Sequence, residues 1–297
     1  MRCLEGLRAQ TVEPAEVLVA VRPDDAETRG ALERVDWPTV RAVTAQRPGA
    51  VAARNAAMAV ARADVIAFTD DDAVPRTDWI ERLLAHYEDT LVGAVGGRDL
   101  VYHDGVLEDG REPVVGRVLP YGRFVGFHHL GFGEARPVDF LKGANMSVRA
   151  STLEGCGFDT ELRGHGAEHH EDWALSLRVK RAGWKVIYDP AVKVDHYEAG
   201  RAGGAPRVDP AGRDLTDRVH NQTYVAVRYL PWPRAAAHVI FVLAVGTGVG
   251  PGVLQALARV VRGRGVRATA DLFVATVRGR IAGIVTGLRA RRQDRRH

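Results

Sequence analysis

Cysteine is nearly missing from this 297-residue sequence: only Cys3 and Cys156 occur, in unrelated contexts and without a CxxC spacing. A disulfide framework and a structural zinc site therefore lack the ligands they need, and a reducing compartment is the simpler setting. A secretory leader is absent too. Met1 is followed by Arg-Cys-Leu-Glu-Gly, with charges throughout and no apolar core behind a basic start, so the working part is expected to stay in the cytosol. Nor is there a compositional extreme. With 46% hydrophobic and 26% charged residues, intrinsic disorder and a collagen-like repeat are excluded, and the length suits one large domain or two small ones. No internal repeat is visible.

Charge is unevenly placed. The net +4 comes from 41 Lys+Arg against 37 Asp+Glu, yet Arg259 to His297 holds 11 arginines against Asp271 and Asp294. That stretch carries +9 and the rest −5. The pattern describes a mildly acidic body with a basic tail able to face phosphates or an anionic membrane, rather than a uniformly basic nucleic-acid binder.

Along the chain, apolar runs at Glu16 to Val21, Thr39 to Val43, Val65 to Thr69 and Leu91 to Gly96 read as strands. Helical patterns lie at Cys3 to Ala9, Asp25 to Val35, Gly49 to Arg62 and Thr77 to Tyr87. Such alternation predicts an α/β domain with a mostly parallel sheet and helices on both faces. The chain opens on a helix where such a domain opens on a strand, which points to a start site placed too late. Tyr102 to Arg136 is irregular, of the sort that builds a binding surface. Strands are then expected at Val138 to Leu141, Lys185 to Tyr188 and Ala191 to Asp195, a helix at Glu168 to Ala182, and a mobile linker at Arg201 to Arg213.

The C-terminal region, residues 206–297, reads as a separate helical part after a domain of residues 1–205. A helix is expected at Asp214 to Tyr229, and Ala235 to Ala258 gives 24 residues without a formal charge. As one helix these would span about 36 Å, enough for a bilayer. Five breakers, Gly246, Gly248, Gly250, Pro251 and Gly252, interrupt the run, and Arg234, Arg259, Arg262 and Arg264 flank it. A single crossing would place the basic tail outside. A re-entrant hairpin or a pair of interfacial helices suits the charges better, with a hairpin buried against the soluble domain as the alternative.

Three segments carry chemistry. Val65-Ile-Ala-Phe-Thr-Asp70-Asp71-Asp72 sets carboxylates where a buried strand ends, the place where open α/β sheets bind ligands and where alternate carboxylates can hold a hard divalent cation against phosphate. Glu168-His169-His170-Glu171-Asp172-Trp173 opens a helix, and its acids can equally be a simple N-terminal cap. A zinc reading fails there, since HExxH is absent and adjacent histidines point about 100° apart. Gly143-Ala144-Asn145 permits close backbone approach and offers an amide suited to sugar hydroxyls, or forms a plain turn. His196 ends a predicted strand.

In this order the segments resemble the family 2 glycosyltransferases, inverting enzymes of the GT-A fold that use nucleotide-sugar donors. The resemblance covers about Arg2 to Tyr197. Arg47-Pro-Gly-Ala-Val-Ala-Ala-Arg54-Asn55 and Asp64 to Asp72 match the donor half; Gly143 to Arg149, Glu171-Asp172-Trp173 and His196 match the acceptor half. The resemblance implies that Asp24 or Asp25 touches the nucleoside. It makes Arg54, Asp70 and Asp71 donor contacts, and Asp70, Asp72 and His196 the holders of Mn²⁺ or Mg²⁺. Gly143, Asn145, Glu171 and Trp173 would meet the acceptor, and Asp172 would be the catalytic base.

The family's opening strand and the loop after it are missing here, and so is the QxxRW motif of processive synthases. A single-addition transferase acting on a lipid-linked or cell-envelope glycan at the cytoplasmic face of a bacterial membrane is expected. Arg201 and Arg207 are placed to close over the donor diphosphate. The alternatives are a nucleotidyltransferase of the same fold, a degenerate transferase domain acting as a membrane scaffold, and a nucleic-acid binder acting through the arginine-rich tail.

Overall fold

The computed structural model describes residues 1–153, 156–164, 168–197 and 213–294. They divide into two compact units. The first comprises Met1–Arg117, Val125–Thr160 and Leu175–Ala202; the second comprises Val118–Phe124, Glu161–Ala174 and Gly203–His297.

The first unit opens with helix α1 (Arg2–Arg8), strand β1 (Val17–Val21), α2 (Ala26–Glu33), β2 (Val40–Thr44), α3 (Ala50–Met58) and β3 (Val65–Thr69). Each element sits where the apolar runs and caps place it. Asp25 starts α2 by accepting a hydrogen bond from the Thr28 backbone N–H at 2.9 Å, an N-cap that satisfies one of the helix's free donors. The alanine-rich α3 stops at Met58, short of Arg62. Beyond it the Arg62 N–H donates to the Glu16 carboxylate at 2.6 Å, which turns the chain toward β3.

Next come β4 (Ala73–Pro75), α4 (Trp79–His86) and a long β5 (Val92–His103). The irregular stretch contains short strands β6 (Val106–Leu107), β7 (Arg117–Val118), β8 (Phe124–Val125) and β9 (Arg136–Pro137). Then follow β10 (Asn145–Arg149), helix α5 (Glu171–Arg181) and β11 (Lys185–Tyr197).

The main sheet has seven strands in the path β3-β10-β5-β11-β4, with β6 on β5 and β9 on β11, while β1 and β2 pair separately and in parallel. Among the described residues, the one parallel pairing within the main sheet is that of β5 with β11. The expected mostly parallel sheet is thus corrected to a mixed one. One cause is β10, for which no strand was expected and which enters between β3 and β5 antiparallel to both; the short β4, β6 and β9 also pair antiparallel. Residues Val138 to Leu141, expected as a strand, instead run irregularly into it.

A glycine pair makes the crossing of these strands possible. A Cβ on Gly97 would fall 1.9 Å from the Val192 carbonyl oxygen, and one on Gly96 would fall 2.7 Å from that of Asn145. No side chain fits there. The core behind the sheet is built from Leu7, Trp79, Leu83, Val95, Val192 and Val194. β11 is one strand rather than two, with its register against β5 shifted between Asp189 and Lys193.

The second unit holds α6 (Arg213–Tyr229), α7 (Trp232–Ala244), α8 (Val253–Val261) and α9 (Val266–Gln293). The uncharged 24-residue run is therefore two helices. Gly246, at φ +104°, and a bridge from Gly246 to Pro251 turn the chain between them. Among the described residues no helix is long and apolar enough to cross a membrane.

Helix α9 packs on α6 through glycines one turn apart: a Cβ on Gly279 would lie 2.4 Å from Val219, and one on Gly283 would lie 2.5 Å from the His220 carbonyl. Two of its arginines point inward. The buried Arg280 guanidinium donates to the carbonyls of Val242, Gly250 and Pro251, and Arg291 donates to those of Val227 and Leu230. Arg291 caps the C-terminal end of α6, and Arg280 ties the last turn of α7 to the loop before α8; at both places carbonyls lack helical partners and the helix dipole favours a cation. Part of the basic tail is thus internal structure.

Candidate metal and donor site

The site begins at the turn after β3. Asp70-Asp71-Asp72 reverse the chain into β4, closed by the Ala73 N–H donating to the Asp70 carbonyl at 3.1 Å. Pairing of β4 with β11 sets His196 opposite Ala73, and the Tyr197 N–H donates to the Asp72 carbonyl at 3.0 Å. Register alone thus carries a histidine 124 residues further along the sequence to the acidic turn. His196 Nε2 lies 3.2 Å from Asp72 Oδ1, and one ligand atom each from Asp70, Asp72 and His196 falls within 4.8 Å of the others.

Two carboxylates and one imidazole suit a Mn²⁺- or Mg²⁺-class cation. The carboxylates are partly exposed, leaving room for water or substrate oxygens to complete the shell.

Arg54, carried on α3, reaches the same turn, with Nη2 3.1 Å from Asp70 Oδ1. Gly143 clears its path: a Cβ there would lie 2.8 Å from the guanidinium nitrogens. Asp71 is exposed, and so is Asp24. Asp25 is occupied as the cap of α2, and the Thr28 N–H and hydroxyl hold its carboxyl below the usual range.

Behind the cluster stands a pair of residues to which the sequence motifs give no role. Asp99 is fully buried in β5, pairs with the Lys142 ammonium, and lies 3.7 Å from His196 Nδ1. Burial alone would raise its carboxyl, but His196 and Lys142 hold it below its ordinary value. Burial pushes the His196 imidazole down, yet Asp72 and Asp99 outweigh this and lift it to about 9. The signal for Asp99 was the lone acid of a largely apolar strand, two residues after the glycine pair.

Asn145 departs from expectation. It is fully buried; Oδ1 accepts from Trp79 Nε1 at 2.8 Å, and Nδ2 donates to the carbonyls of Arg98 and Val192 at 3.1 and 3.0 Å. Its amide binds the sheet together rather than facing a sugar, which corrects its assignment to the acceptor. A buried amide with three partners is a structural device.

Glu171, Asp172 and Trp173 belong to the second unit. They form the first turn of α5, where Asp172 Oδ1 accepts from the Trp173 N–H at 2.8 Å. The Trp173 ring stacks on Phe124 at 4.7 Å and on His170 at 4.1 Å. His170 takes the left-handed φ of +73°, a conformation that costs energy for a residue with a Cβ. Its imidazole is driven down to about 3, chiefly by burial. The strained residue thus sits two positions before Asp172. Arg201 and Arg207 lie outside the described residues.

Comparison with known proteins defines the class. Residues 1–148 belong to glycosyl transferase family 2. The pre-mycofactocin glycosyltransferase of Mycobacterium tuberculosis is 31% identical over 201 residues, 65% of this chain and 38% of that protein. The glucosyl-dolichyl phosphate glucuronosyltransferase of Haloferax volcanii is 31% identical over 207 residues, 65% of this chain and 62% of that one. The chain therefore spans less than two thirds of either relative. The crystal structure of GalNAc-T7 with UDP, GalNAc and Mn²⁺ matches 92% of this chain and 53% of that one, with a TM-score of 0.59 and 14% identity. That likeness establishes the GT-A α/β fold.

Proposed function

We propose that this protein is an inverting glycosyltransferase that moves a sugar from a nucleoside-diphosphate donor to a lipid-linked or cell-envelope glycan at the cytoplasmic face of the membrane. The observation that carries the reading is the meeting of Asp70, Asp72 and His196 at the ends of β3 and β11. Family membership and the named activities of the two relatives support it.

Asp70, Asp72 and His196 would hold Mn²⁺ or Mg²⁺, and when bound the cation neutralises charge on the departing diphosphate. Arg54 adds a fixed positive charge at the same turn. Asp172 takes the proton from the acceptor hydroxyl as its oxygen bonds to the anomeric carbon; the bond from that carbon to the diphosphate breaks, and the nucleoside diphosphate leaves with the electron pair. Glu171 and the Trp173 ring supply acceptor contacts. The relative acting on a glucosyl-dolichyl phosphate supports a lipid-linked acceptor.

Calorimetric titration with a panel of nucleotide sugars, with and without Mn²⁺, tests this reading. One donor is expected to bind only with metal. Asp72→Ala should abolish that binding, and Asp172→Asn should keep binding but stop turnover. No binding of any donor would replace the transferase with a catalytically silent scaffold.

A further inference from the structure

Helix α8 is built inside out. Leu254, Leu257 and Val261 are 59%, 59% and 87% exposed, Val253 and Val260 are exposed beside them, and no residue of the helix is buried. At about 100° per residue these five side chains cover an arc of about 120°, whereas Gln255, Ala256, Ala258 and Arg259 fill the other side. A helix covering a soluble core shows the opposite arrangement. So concentrated an apolar face marks an interaction surface.

The surrounding charge is mostly positive, with exposed Asp271 on α9 as an acid among the arginines. No Asp or Glu occurs from residue 218 to residue 270, and Arg262, Arg264 and Arg267 follow α8, all exposed. On α9, exposed Val274, Ile281 and Val285 alternate with exposed Arg278 and Arg289. An apolar stripe bordered by arginines is what an anionic lipid surface accepts: the aliphatic groups enter the acyl boundary and the guanidinium groups meet phosphate headgroups. A protein partner would need acidic groups around a matching groove.

We infer that the outward face of α8, with the arginines that follow it, docks the protein onto an anionic membrane surface without crossing it. The inference rests on the membrane placement proposed above and gives that placement a contact surface.

The test is co-sedimentation of the full chain with vesicles of phosphatidylglycerol and phosphatidylcholine, and with phosphatidylcholine alone. The full chain should bind the anionic vesicles, lose most of that binding in 0.5 M salt, and bind neutral vesicles weakly. L254Q/L257Q should weaken binding at least tenfold, and R262Q/R264Q/R267Q should weaken it on anionic vesicles only. Mn²⁺-dependent donor binding, measured in parallel, should be unchanged in both variants, so a failure to dock is distinguishable from a failure of the transferase reading. No binding by the full chain overturns both the surface and the membrane placement. Unaltered binding by L254Q/L257Q overturns the surface alone. Concentration-dependent self-association that this variant abolishes would assign the face to a second copy and overturn the lipid reading.

Discussion

Asp99 Oδ2 lies 3.7 Å from Nδ1 of His196, the ring nitrogen opposite the one that faces Asp72. At this distance the two groups attract by charge without a hydrogen bond; a carboxylate behind an imidazole that would hold a metal orients the ring, and losing a hydrogen-bonded partner of this kind typically reduces metal affinity about 10- to 100-fold. Asp99→Asn keeps the shape and removes the charge. Mn²⁺ affinity of the variant, measured by electron paramagnetic resonance without donor, is expected to fall, by no more than about that factor. Unchanged affinity would limit Asp99 to its pairing with Lys142.

Asn145→Ala separates a structural role from a substrate contact. Removing the amide strands Trp79 Nε1 and two carbonyls inside the sheet, where each buried unpaired group costs about 1–3 kcal/mol. Urea unfolding should show a loss of several kcal/mol, while acceptor KM of the folded fraction stays constant. A raised KM at full stability would restore the sugar contact.

Gly283→Ala tests the α6–α9 seam. The added methyl would lie 2.5 Å from the His220 carbonyl, and overpacking of this kind costs about 1–3 kcal/mol. The expected result is a lower melting temperature. An Ala variant as stable as the parent would show that the two helices can separate without cost.

Acid should destabilise the fold well before the carboxylates titrate. Burial pushes His128, His170 and His238 down to about 4, 3 and 4. Unfolded, each takes up a proton below about pH 6.5. From there down to about pH 4 the unfolded chain binds more protons than the folded one, so stability falls as pH falls. Urea midpoints at pH 7 and pH 5 should differ by an amount equivalent to about 1–2 kcal/mol per histidine. His128→Gln should flatten part of the slope.

The strand ends and the acidic turn were legible because a buried apolar run closing in carboxylates has few other meanings. His196 was readable as a strand-terminal histidine, but what it faces depends on the pairing of β11 with β4, which no local pattern specifies. Asn145 misled because an amide next to glycine and alanine looks the same whether its partners are sugar hydroxyls or backbone carbonyls. β10 was missed although Asn-Met-Ser-Val-Arg alternates polar and apolar residues: it is only five residues long, and its polar members Asn145 and Ser147 are buried against backbone carbonyls of Val192 and Val95 instead of facing solvent. Similarly, arginine content showed that the tail is basic, but only packing shows that Arg280 and Arg291 bind backbone carbonyls at helix ends.

The register shift in β11 between Asp189 and Lys193 makes the length of this strand a functional quantity. Side chains of a strand alternate between its two faces. Deleting one residue between Lys193 and His196 would turn His196 to the other face and bring Tyr197 into its place opposite Ala73. Substitutions along β11 can be absorbed by repacking; a change in its residue count would change which side chain meets Asp70 and Asp72. Lineages descended from this chain should therefore vary in composition here while holding the spacing from Lys193 to His196 fixed.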